Sequence, residues 1–346
     1  MQKYGDEISV WTVDGALVRT FSRHEGEGPQ GGQCLAFMPD GKTLLAPAPT
    51  DNPEHRKFGL GLWDAESGAL QRLIPGPNPD SDDRKLPLDN SAGICTLSPD
   101  GTLVAMRPRY PISPIAVYAT RDRRILGVRK LWLRDIPVRF PDGKLLPDLQ
   151  NSPSALAFGD DNSLLVGAGV AIVTFGAPFG SREPNYIAMT PTGDLKLLGA
   201  PSDISYDLWN IDFTSVKYSS AGNLLAIGTS LLGRDAKVQQ AAGDVERLRK
   251  LASVKIWDVR AQRVVAEDPM PDDRPSDMDW DRDGTLLAVV TQNHFLKIYR
   301  PAETGGAPIL QVHLDGPSES VRFSPAADQV LVGPGRTIQV YTISRH

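Results

Sequence analysis

The sequence predicts an all-β fold assembled from repeated small sheets. Short apolar runs recur along the chain with turn residues between them, a pattern typical of β-strands. The 346 residues include 32 glycines and 29 prolines, a composition that favours many turns over long helices. A hairpin followed by a further strand repeats over nearly the whole length. The clearest copy, residues 253–300, contains four apolar runs joined by turns, as expected for one sheet of a repeating architecture.

The first element of the repeat is a hairpin with a turn of the Pro-Asp-Gly type. Its copies are CLAFMPDGKTLLA (34–46), ICTLSPDGTLVA (94–105), ALAFGDDNSLLV (155–166), YIAMTPTGDLKLLG (186–199), SVKYSSAGNLLA (215–226), DMDWDRDGTLLA (277–288) and SVRFSPAADQVLV (320–332). Such a turn supplies the positive φ that closes a hairpin. Two columns before the turn are apolar with a period of two: Phe37, Leu97, Phe158, Met189, Tyr218, Trp280 and Phe323, and Leu35, Cys95, Leu156, Ile187, Val216, Met278 and Val321. This period predicts a half-buried or fully buried first strand in every copy.

The second element is a strand that follows each hairpin. Its copies are LGLWD (60–64), IAVYA (115–119), AIVTF (171–175), YDLWN (206–210), VKIWD (254–258), LKIYR (296–300) and IQVYT (338–342). A further copy, ISVWT (8–12), precedes the first hairpin, and residues 17–21 behind it are predicted to form an outer strand.

These copies resemble the WD-repeat family of β-propellers. The Trp-Asp pair of that family stands at Trp63-Asp64 and Trp257-Asp258, whereas its Gly-His pair is missing. The resemblance implies one β-propeller domain over residues 1–346, with N- and C-terminal strands closing the ring in a shared blade. Seven hairpins predict seven blades, with six or eight as alternatives because the fourth copy is squeezed. The fourth copy either forms a blade without an outer strand or belongs to a neighbouring blade.

Composition and cysteine usage point to a soluble, cytoplasmic protein. A net charge of −5 gives no global attraction to nucleic acid or to an anionic membrane. The N-terminus lacks the profile of a secretory signal, and no apolar run is long enough to span a membrane. The two cysteines, Cys34 and Cys95, lie in predicted core strands, where cysteine behaves as a small apolar residue. We therefore expect no structural disulfide.

The long insertions are predicted to lie at one end of the sheets. Strands of a blade alternate in direction, so successive connections lie at opposite ends. One set is short everywhere, and the other carries the insertions 47–57, 107–114, 229–253, 75–91, 128–153 and 267–275. Long loops at one end of a rigid scaffold usually carry binding function. We therefore expect a protein or peptide partner to dock there, within a multi-subunit assembly.

The candidate partner-binding residues lie in these insertions: Arg56, Lys57, Arg107, Arg109, Tyr110, Arg129, Lys130, Trp132, Val245 and Leu248. Val245 and Leu248 belong to a predicted short helix over 236–252 whose apolar residues have helical spacing. That helix packs on its own propeller in one interpretation, which is favoured, and on a partner in the other. The basic stretch 121–139 is a third possibility, as a nucleic-acid contact, and a solvated strand and loop is favoured over it.

Motifs for enzymatic chemistry are weak. The glycine-rich string 26–31 has no helix after it to bind phosphate, and the acidic run from Asp279 to Gly284 lacks the final acid of a calcium loop, so we interpret its acids as turn formers. The histidines form no short-range metal pair. No cofactor or metal is predicted. The alternative function is a propeller hydrolase or oxidoreductase, which requires polar side chains on the inner strands, around a central channel.

Overall fold

The structure is a computed structural model of the chain, and its elements are almost all β-strands. It describes residues 8–12, 16–21, 34–49, 58–74, 92–108, 115–122, 124–129, 153–159, 162–168, 171–175, 185–189, 195–198, 211–219, 221, 223–231, 252–324, 326–334 and 338–343. The chain divides into two compact units, residues 1–131 with 178–181 and residues 132–177 with 182–346. Among the described residues the single helix is one turn, α1 (Pro301–Thr304).

The first unit contains a two-stranded ribbon and two four-stranded antiparallel sheets. The ribbon pairs β1 (Ile8–Trp11) with β2 (Leu17–Phe21). Sheet A consists of β3 (Ala36–Phe37), β4 (Thr43–Pro49), β5 (Phe58–Asp64) and β6 (Leu70–Ile74). Sheet B consists of β7 (Ala92–Leu97), β8 (Leu103–Pro108), β9 (Ile115–Ala119) and β10 (Ile125–Arg129). In each sheet, strands that are consecutive in the chain are hydrogen-bonded neighbours.

The second unit contains four antiparallel sheets with the same order of strands. Sheet C consists of β11 (Pro153–Phe158), β12 (Leu164–Ala168), β13 (Ala171–Phe175), β14 (Asn185–Met189) and β15 (Leu195–Leu198). Sheet D consists of β16 (Ile211–Ser219), β17 (Leu224–Leu231), β18 (Ser253–Asp258) and β19 (Arg263–Pro269). Sheet E consists of β20 (Pro275–Trp280), β21 (Leu287–Thr291), β22 (Phe295–Tyr299) and β23 (Pro308–His313). Sheet F consists of β24 (Ser318–Phe323), β25 (Gln329–Pro334) and β26 (Gln339–Thr342).

Within each unit the sheets are packed face to face in chain order. In the first unit one apolar cluster joins sheets A and B, and it includes Leu45 and Leu60 from one sheet and Val104 from the other. In the second unit β16 packs between β11 and β20, and β20 packs on β24. Small antiparallel sheets stacked through their faces form a propeller-like arrangement, so the predicted all-β fold is confirmed. The described residues contain six such sheets, and the seven-blade count is not confirmed.

The fourth hairpin copy does not form a sheet of its own. Its two strands, β14 and β15, extend sheet C, in which β13 pairs with β14 and β14 with β15. The segment therefore belongs to a neighbouring blade, which was the second of the two predicted arrangements. Residues 206–210, the strand predicted to follow this hairpin, lie outside the described residues.

The hairpin turns have the predicted backbone geometry. Gly41, Gly101 and Gly284 adopt φ of 68°, 71° and 67°, and Asn162, Asn223 and Ala327 take positive φ in the corresponding turns of other copies. The turn acids accept hydrogen bonds from the chain that follows, as Asp281 Oδ1 does from the backbone N of Thr285 at 2.7 Å and of Leu286 at 2.9 Å. These contacts confirm that Asp281 is a turn-forming acid.

Two residues of the first copy are more exposed than predicted. Leu35 and Phe37 are 51% and 50% exposed, whereas the corresponding Met278 and Trp280 of sheet E are buried. On the other side of the chain, Cys34 before β3 and Met38 after it pack on sheet B. The prediction of a buried first strand is therefore wrong for Leu35 and Phe37, because among the described residues no neighbouring sheet covers this side of the hairpin.

Cys34 and Cys95 form a disulfide, so the expectation of two unpaired cysteines is wrong. Cys34 stands just before β3 and is buried, Cys95 lies on β7, and their Cα atoms are 5.0 Å apart. Sheets A and B bring the two residues together although 61 positions separate them in the chain. In the chain-entropy model a cross-link over this separation stabilises the folded state by about 4 kcal/mol.

A polar seam of Asp268, Lys297 and Tyr299 joins sheets D and E in addition to their apolar contact. Asp268 on β19 accepts hydrogen bonds from Lys297 Nζ at 2.8 Å and from the Tyr299 hydroxyl at 2.6 Å. Burial first, and the Asp268 charge second, raise the pKa of Tyr299, so its phenol stays protonated and donates. Beside this seam the turn after α1 reaches β19, where Gly306 lies against the backbone of Glu267.

Gly306→Ala is expected to destabilise the protein far more than Gly305→Ala. At Gly306 φ is 119°, a conformation that L-residues rarely adopt, and an added Cβ would overlap the Glu267 backbone. Gly305 has φ of 60° and open space around its Cα, so alanine there meets only left-handed strain. We expect losses of about 3–5 kcal/mol and about 1 kcal/mol respectively in free energies of unfolding measured with urea. Equal losses for the two variants would contradict the packing of Gly306 on β19.

Candidate functional site

One end of the sheets in the second unit gathers the connections that follow every second strand. We call it the long-connection end; it comprises the connections β17–β18, β19–β20, β21–β22 and β23–β24. Hydrogen bonds from Val321 N to Asp277 (3.3 Å) and from Phe323 N to Asp279 (2.8 Å) advance in the same order along β24 and β20. The two strands therefore run parallel, and connections of the same parity in sheets E and F lie at the same end.

Hydrogen bonds tie these connections into a continuous rim. The backbone N of Met270 donates to Ala252 O at 2.7 Å, which joins the β19–β20 connection to the β17–β18 connection. Asn293 in the β21–β22 connection donates from its backbone N to Asp273 Oδ1 at 3.0 Å and from Nδ2 to Asp272 O at 2.8 Å. The backbone N of Leu314 donates to His294 O at 2.7 Å and adds the β23–β24 connection.

The longest insertion of this unit leaves the rim from a closed strand pair. Thr229 and Ser253 are register partners on β17 and β18, and both are fully buried. The backbone N of Ser253 donates to Thr229 Oγ1 at 3.1 Å, and Thr229 Oγ1 donates to Ser253 O at 3.2 Å. Strand β17 ends at Leu231 and β18 begins at Ser253, and residues 232–251 between them lie outside the described residues. The insertion is thus attached to a rigid base.

At the opposite end of the sheets, the β18–β19 turn of sheet D is short and is held by its own acid. Asp258 Oδ1 accepts from the backbone N of Arg260 at 2.9 Å and of Ala261 at 2.8 Å. The backbone N of Val259 donates to Asn223 O at 3.1 Å, which ties the β18–β19 turn to the β16–β17 turn. The described connections of sheets D and E do not confirm the predicted separation of long and short connections. At the long-connection end β19–β20, β21–β22 and β23–β24 are joined by residues 270–274, 292–294 and 314–317, whereas β22–β23 at the opposite end are joined by residues 300–307. The long-connection end is therefore distinguished by the insertion between β17 and β18.

Most of the candidate partner-binding residues lie outside the described residues: Arg56, Lys57, Arg109, Tyr110, Lys130, Trp132, Val245 and Leu248. The same holds for the glycine-rich string 26–31 and for the predicted helix over 236–252, of which only Ala252 is described. Arg129 ends β10, and Arg107 lies near the end of β8, where it is 9% exposed and burial lowers the pKa of its guanidinium. Partner binding by these residues stays a prediction.

A second candidate site lies on the first strands of three successive sheets. We call Lys217 of β16, Asp277 and Asp279 of β20 and Arg322 of β24 the inner-strand cluster. Lys217 Nζ lies 3.5 Å from Asp277 Oδ1, and Arg322 Nη1 donates to Asp277 Oδ2. Trp280 Nε1 donates to Lys217 O at 3.1 Å and fixes β20 against β16. Four charged side chains from sheets D, E and F therefore meet.

The two carboxylates of this cluster have opposite electrostatic environments. Burial acts to raise the pKa of Asp277, but the charges of Lys217 and Arg322 outweigh it and hold that pKa below the ordinary value of 3.8. Burial raises the pKa of Asp279 above 3.8, and the charges of Arg322 and Lys217 offset this only in part. Asp277 and Asp279 together raise the pKa of Arg322 against the effect of burial.

The two carboxylates of the inner-strand cluster accept hydrogen bonds from backbone amides at the edge of β24. β24 is the edge of sheet F, so the amides of Val321 and Phe323 have no strand partner on that side. Asp277 and Asp279 accept their hydrogen bonds, and Arg322 and Lys217 neutralise the two carboxylates. Burying such a carboxylate without partners would cost several kcal/mol. The arrangement thus fixes sheet F on sheet E.

This cluster was not among the predicted sites, although the aligned repeats contain a signal for it. At the position of Asp279 the other copies have Ala36, Thr96, Ala157 and Ala188, and then Lys217 and Arg322 on either side of the acid. Charges that alternate in sign between successive copies indicate contact between neighbouring first strands.

Comparison with known proteins finds no match: no family model fits the chain, and no curated protein is similar enough to be paired with it. In the described part of the chain, no helix is long and apolar enough to cross a membrane. The same residues contain no group of three or more His, Cys, Asp or Glu side chains placed to hold a metal ion.

Asp277→Asn and Asp279→Asn are expected to change stability with opposite dependence on pH. The pKa of folded Asp277 lies below 3.8, so its stabilising effect is present above that pH and is lost as the pH falls further. Asp277→Asn should therefore cost about 1–3 kcal/mol at neutral pH and less in acid. The pKa of Asp279 in the folded protein lies above 3.8, so the wild-type protein loses stability as the pH rises from 3.8 through that pKa. Asp279→Asn lacks this loss, so its free energy of unfolding should increase relative to that of the wild type over the same pH range.

Urea unfolding of wild type and both variants over a series of pH values from acid to neutral measures these differences. Glu319→Gln, at an exposed position of β24, is the matched control and should follow the wild-type profile. Parallel profiles for the two aspartate variants would show that the two carboxylates do not have the opposite environments described.

Proposed function

We propose that this chain is a divergent WD-repeat propeller that works as a protein-binding scaffold in a larger cytoplasmic assembly. Its partner, a protein or peptide, docks on the long-connection end. The observation that carries the proposal is the insertion of about twenty residues between β17 and β18, which begins and ends at the hydrogen-bonded rim of the long-connection end.

The two Trp-Asp pairs support the relation to WD repeats. Trp63-Asp64 ends β5 and Trp257-Asp258 ends β18, the third strands of sheets A and D. Asp64 Oδ1 accepts from the backbone N of Ser67 at 2.6 Å, just as Asp258 caps its own turn. The same dipeptide therefore has the same role in two copies, which favours descent from one repeated unit.

The chemistry of the rim favours recognition over catalysis. Its carboxylates accept hydrogen bonds within the rim, as Asp273 does from Asn293 and as Asp315 does from Gln339 Nε2 at 2.8 Å. Rigid, already satisfied polar groups present a fixed surface and lose little conformational entropy on binding. The seven-blade ring and its closure by N- and C-terminal strands remain part of the proposal.

One observation favours the alternative of a propeller enzyme. The inner-strand cluster supplies the polar side chains on first strands that such an enzyme requires. Its acids are engaged with backbone amides and with Lys217 and Arg322, which favours a structural role. The scaffold is therefore the preferred function.

Excising residues 232–251 is expected to abolish partner binding and to leave the fold intact. The buried Thr229–Ser253 pair closes the β17–β18 ladder below the insertion, so a short Gly-Asn linker can replace it. Partners are first captured by cross-linking in the native source, and the affinity of the purified pair is then measured by calorimetry. We expect a loss on the order of a hundredfold, the size that removal of a central contact region produces.

The control carries Arg260→Ala in the β18–β19 turn and Arg282→Ala in the β20–β21 turn, at the end opposite the long-connection end. Both side chains are exposed. It should bind like wild type, and circular dichroism should show that both variants are folded. Undiminished affinity of the excised protein, or loss of affinity in the control, would overturn docking at the long-connection end.

A further inference from the structure

The Cys34–Cys95 bond anchors the start of sheet A in the first unit. Upstream of Cys34 the chain contains the β1–β2 ribbon, and among the described residues β1 pairs with β2 alone. Trp11, Leu17 and Val18 of that ribbon are 50%, 51% and 44% exposed. Cys34 is therefore the residue at which the N-terminal segment is covalently joined to sheet B.

Strand β3 has few other contacts that hold its N-terminal end. It contains two residues, Ala36 and Phe37, which pair with Leu45 and Leu44 of β4. Its C-terminal end is secured by the turn, where the backbone N of Met38 donates to Thr43 O at 2.8 Å. At the N-terminal end the half-exposed Leu35 adds little burial, so Cys34 provides the main attachment.

The other first strands do not depend on a cross-link in this way. The strands β7, β11, β20 and β24 each have six residues, and β16 has nine. Longer ladders and the inner-strand cluster hold them. Loss of the disulfide therefore has its largest local effect at the entry into sheet A.

We propose that the Cys34–Cys95 bond is a redox-controlled attachment whose reduction releases the start of β3 from sheet B, while the second unit stays folded. This inference rests on the cytoplasmic location in the proposed function, because disulfides in a reducing compartment are usually transient or redox-sensing. A dithiol reductant breaks the bond: its thiolate attacks one sulfur, the other cysteine leaves as a thiolate and takes up a proton, and the second reductant thiol then releases the first cysteine. The reductant becomes a disulfide, and both cysteines become thiols.

The partly exposed Cys95 is the sulfur that a reductant meets first. Cys34 is completely buried, in a cluster with Leu45, Leu60 and Val104, whereas Cys95 lies at the margin of the same cluster. Attack on Cys95 releases the Cys34 thiol into an apolar site. A neutral thiol is tolerated there, so the reduced state needs no rearrangement of sheet B.

Hydrogen exchange of the full-length chain tests the proposal without any partner, so it is independent of whether the scaffold function is right. The oxidised protein and the protein treated with dithiothreitol in the absence of denaturant are compared by mass spectrometry, with thiol content measured by maleimide labelling. We expect amide exchange in peptides covering 34–38 and 43–46 to rise on the order of tenfold or more on reduction. Peptides covering 253–300 should not change.

The double variant Cys34→Ser/Cys95→Ser is the matched control. It should show the fast exchange of the reduced protein without dithiothreitol and should not respond to it. Unchanged exchange at 34–38 after reduction would overturn the proposal, since β3 would then hold without the bond. Loss of protection throughout 253–300, or a bond that dithiothreitol does not reduce in the folded protein, would overturn it equally and would identify a permanent structural cross-link.

Discussion

A sheet of this protein that lies between two others has two apolar faces, and it buries them by packing on the sheet before it and the sheet after it. Sheet E shows the constraint residue by residue. Along β21, Leu287 and Val289 point to sheet D, while Ala288 and Val290 point to sheet F, and none of the four is exposed to solvent. Strand β21 therefore has no polar face, whereas β20, the first strand of the same sheet, carries Asp277 and Asp279. The turns and ion pairs then decide how the stacked sheets are aligned.

The strands were predictable because both of their signals are local. An apolar alternation and a turn with positive φ occupy consecutive positions, as at Gly41 and Gly284, so the copies can be aligned without a structure. Features that depend on which sheets are neighbours were not predictable in this way. The exposure of Phe37 follows from the place of sheet A in its unit, and the assignment of β14 and β15 to sheet C follows from pairing.

The disulfide and the inner-strand cluster show the same limit in chemical terms. Cys34 and Cys95 occupy adjacent columns of the repeat alignment, and they meet because one faces the following sheet and the other faces the preceding sheet. In the sequence, Asp277 and Asp279 are two acids in a predicted strand. Their role follows only from the hydrogen bonds that they accept from the amides of Val321 and Phe323, each 44 positions later in the chain. For the proposed docking site, the sequence predicts the end of the sheets from strand parity alone, whereas contacts of individual insertion residues require knowledge of the partner.

The parallel pairing of Asp277 and Asp279 with the amides of Val321 and Phe323 has a consequence for how such a chain can evolve. The two acceptors are alternate residues of β20, and the two donors are alternate residues of β24. Both hydrogen bonds therefore form only if the side-chain alternation of the two strands stays aligned. Inserting a single residue within β20 would turn one carboxylate toward sheet D. Recombination that exchanged either repeat alone would also separate the acceptors from the donors.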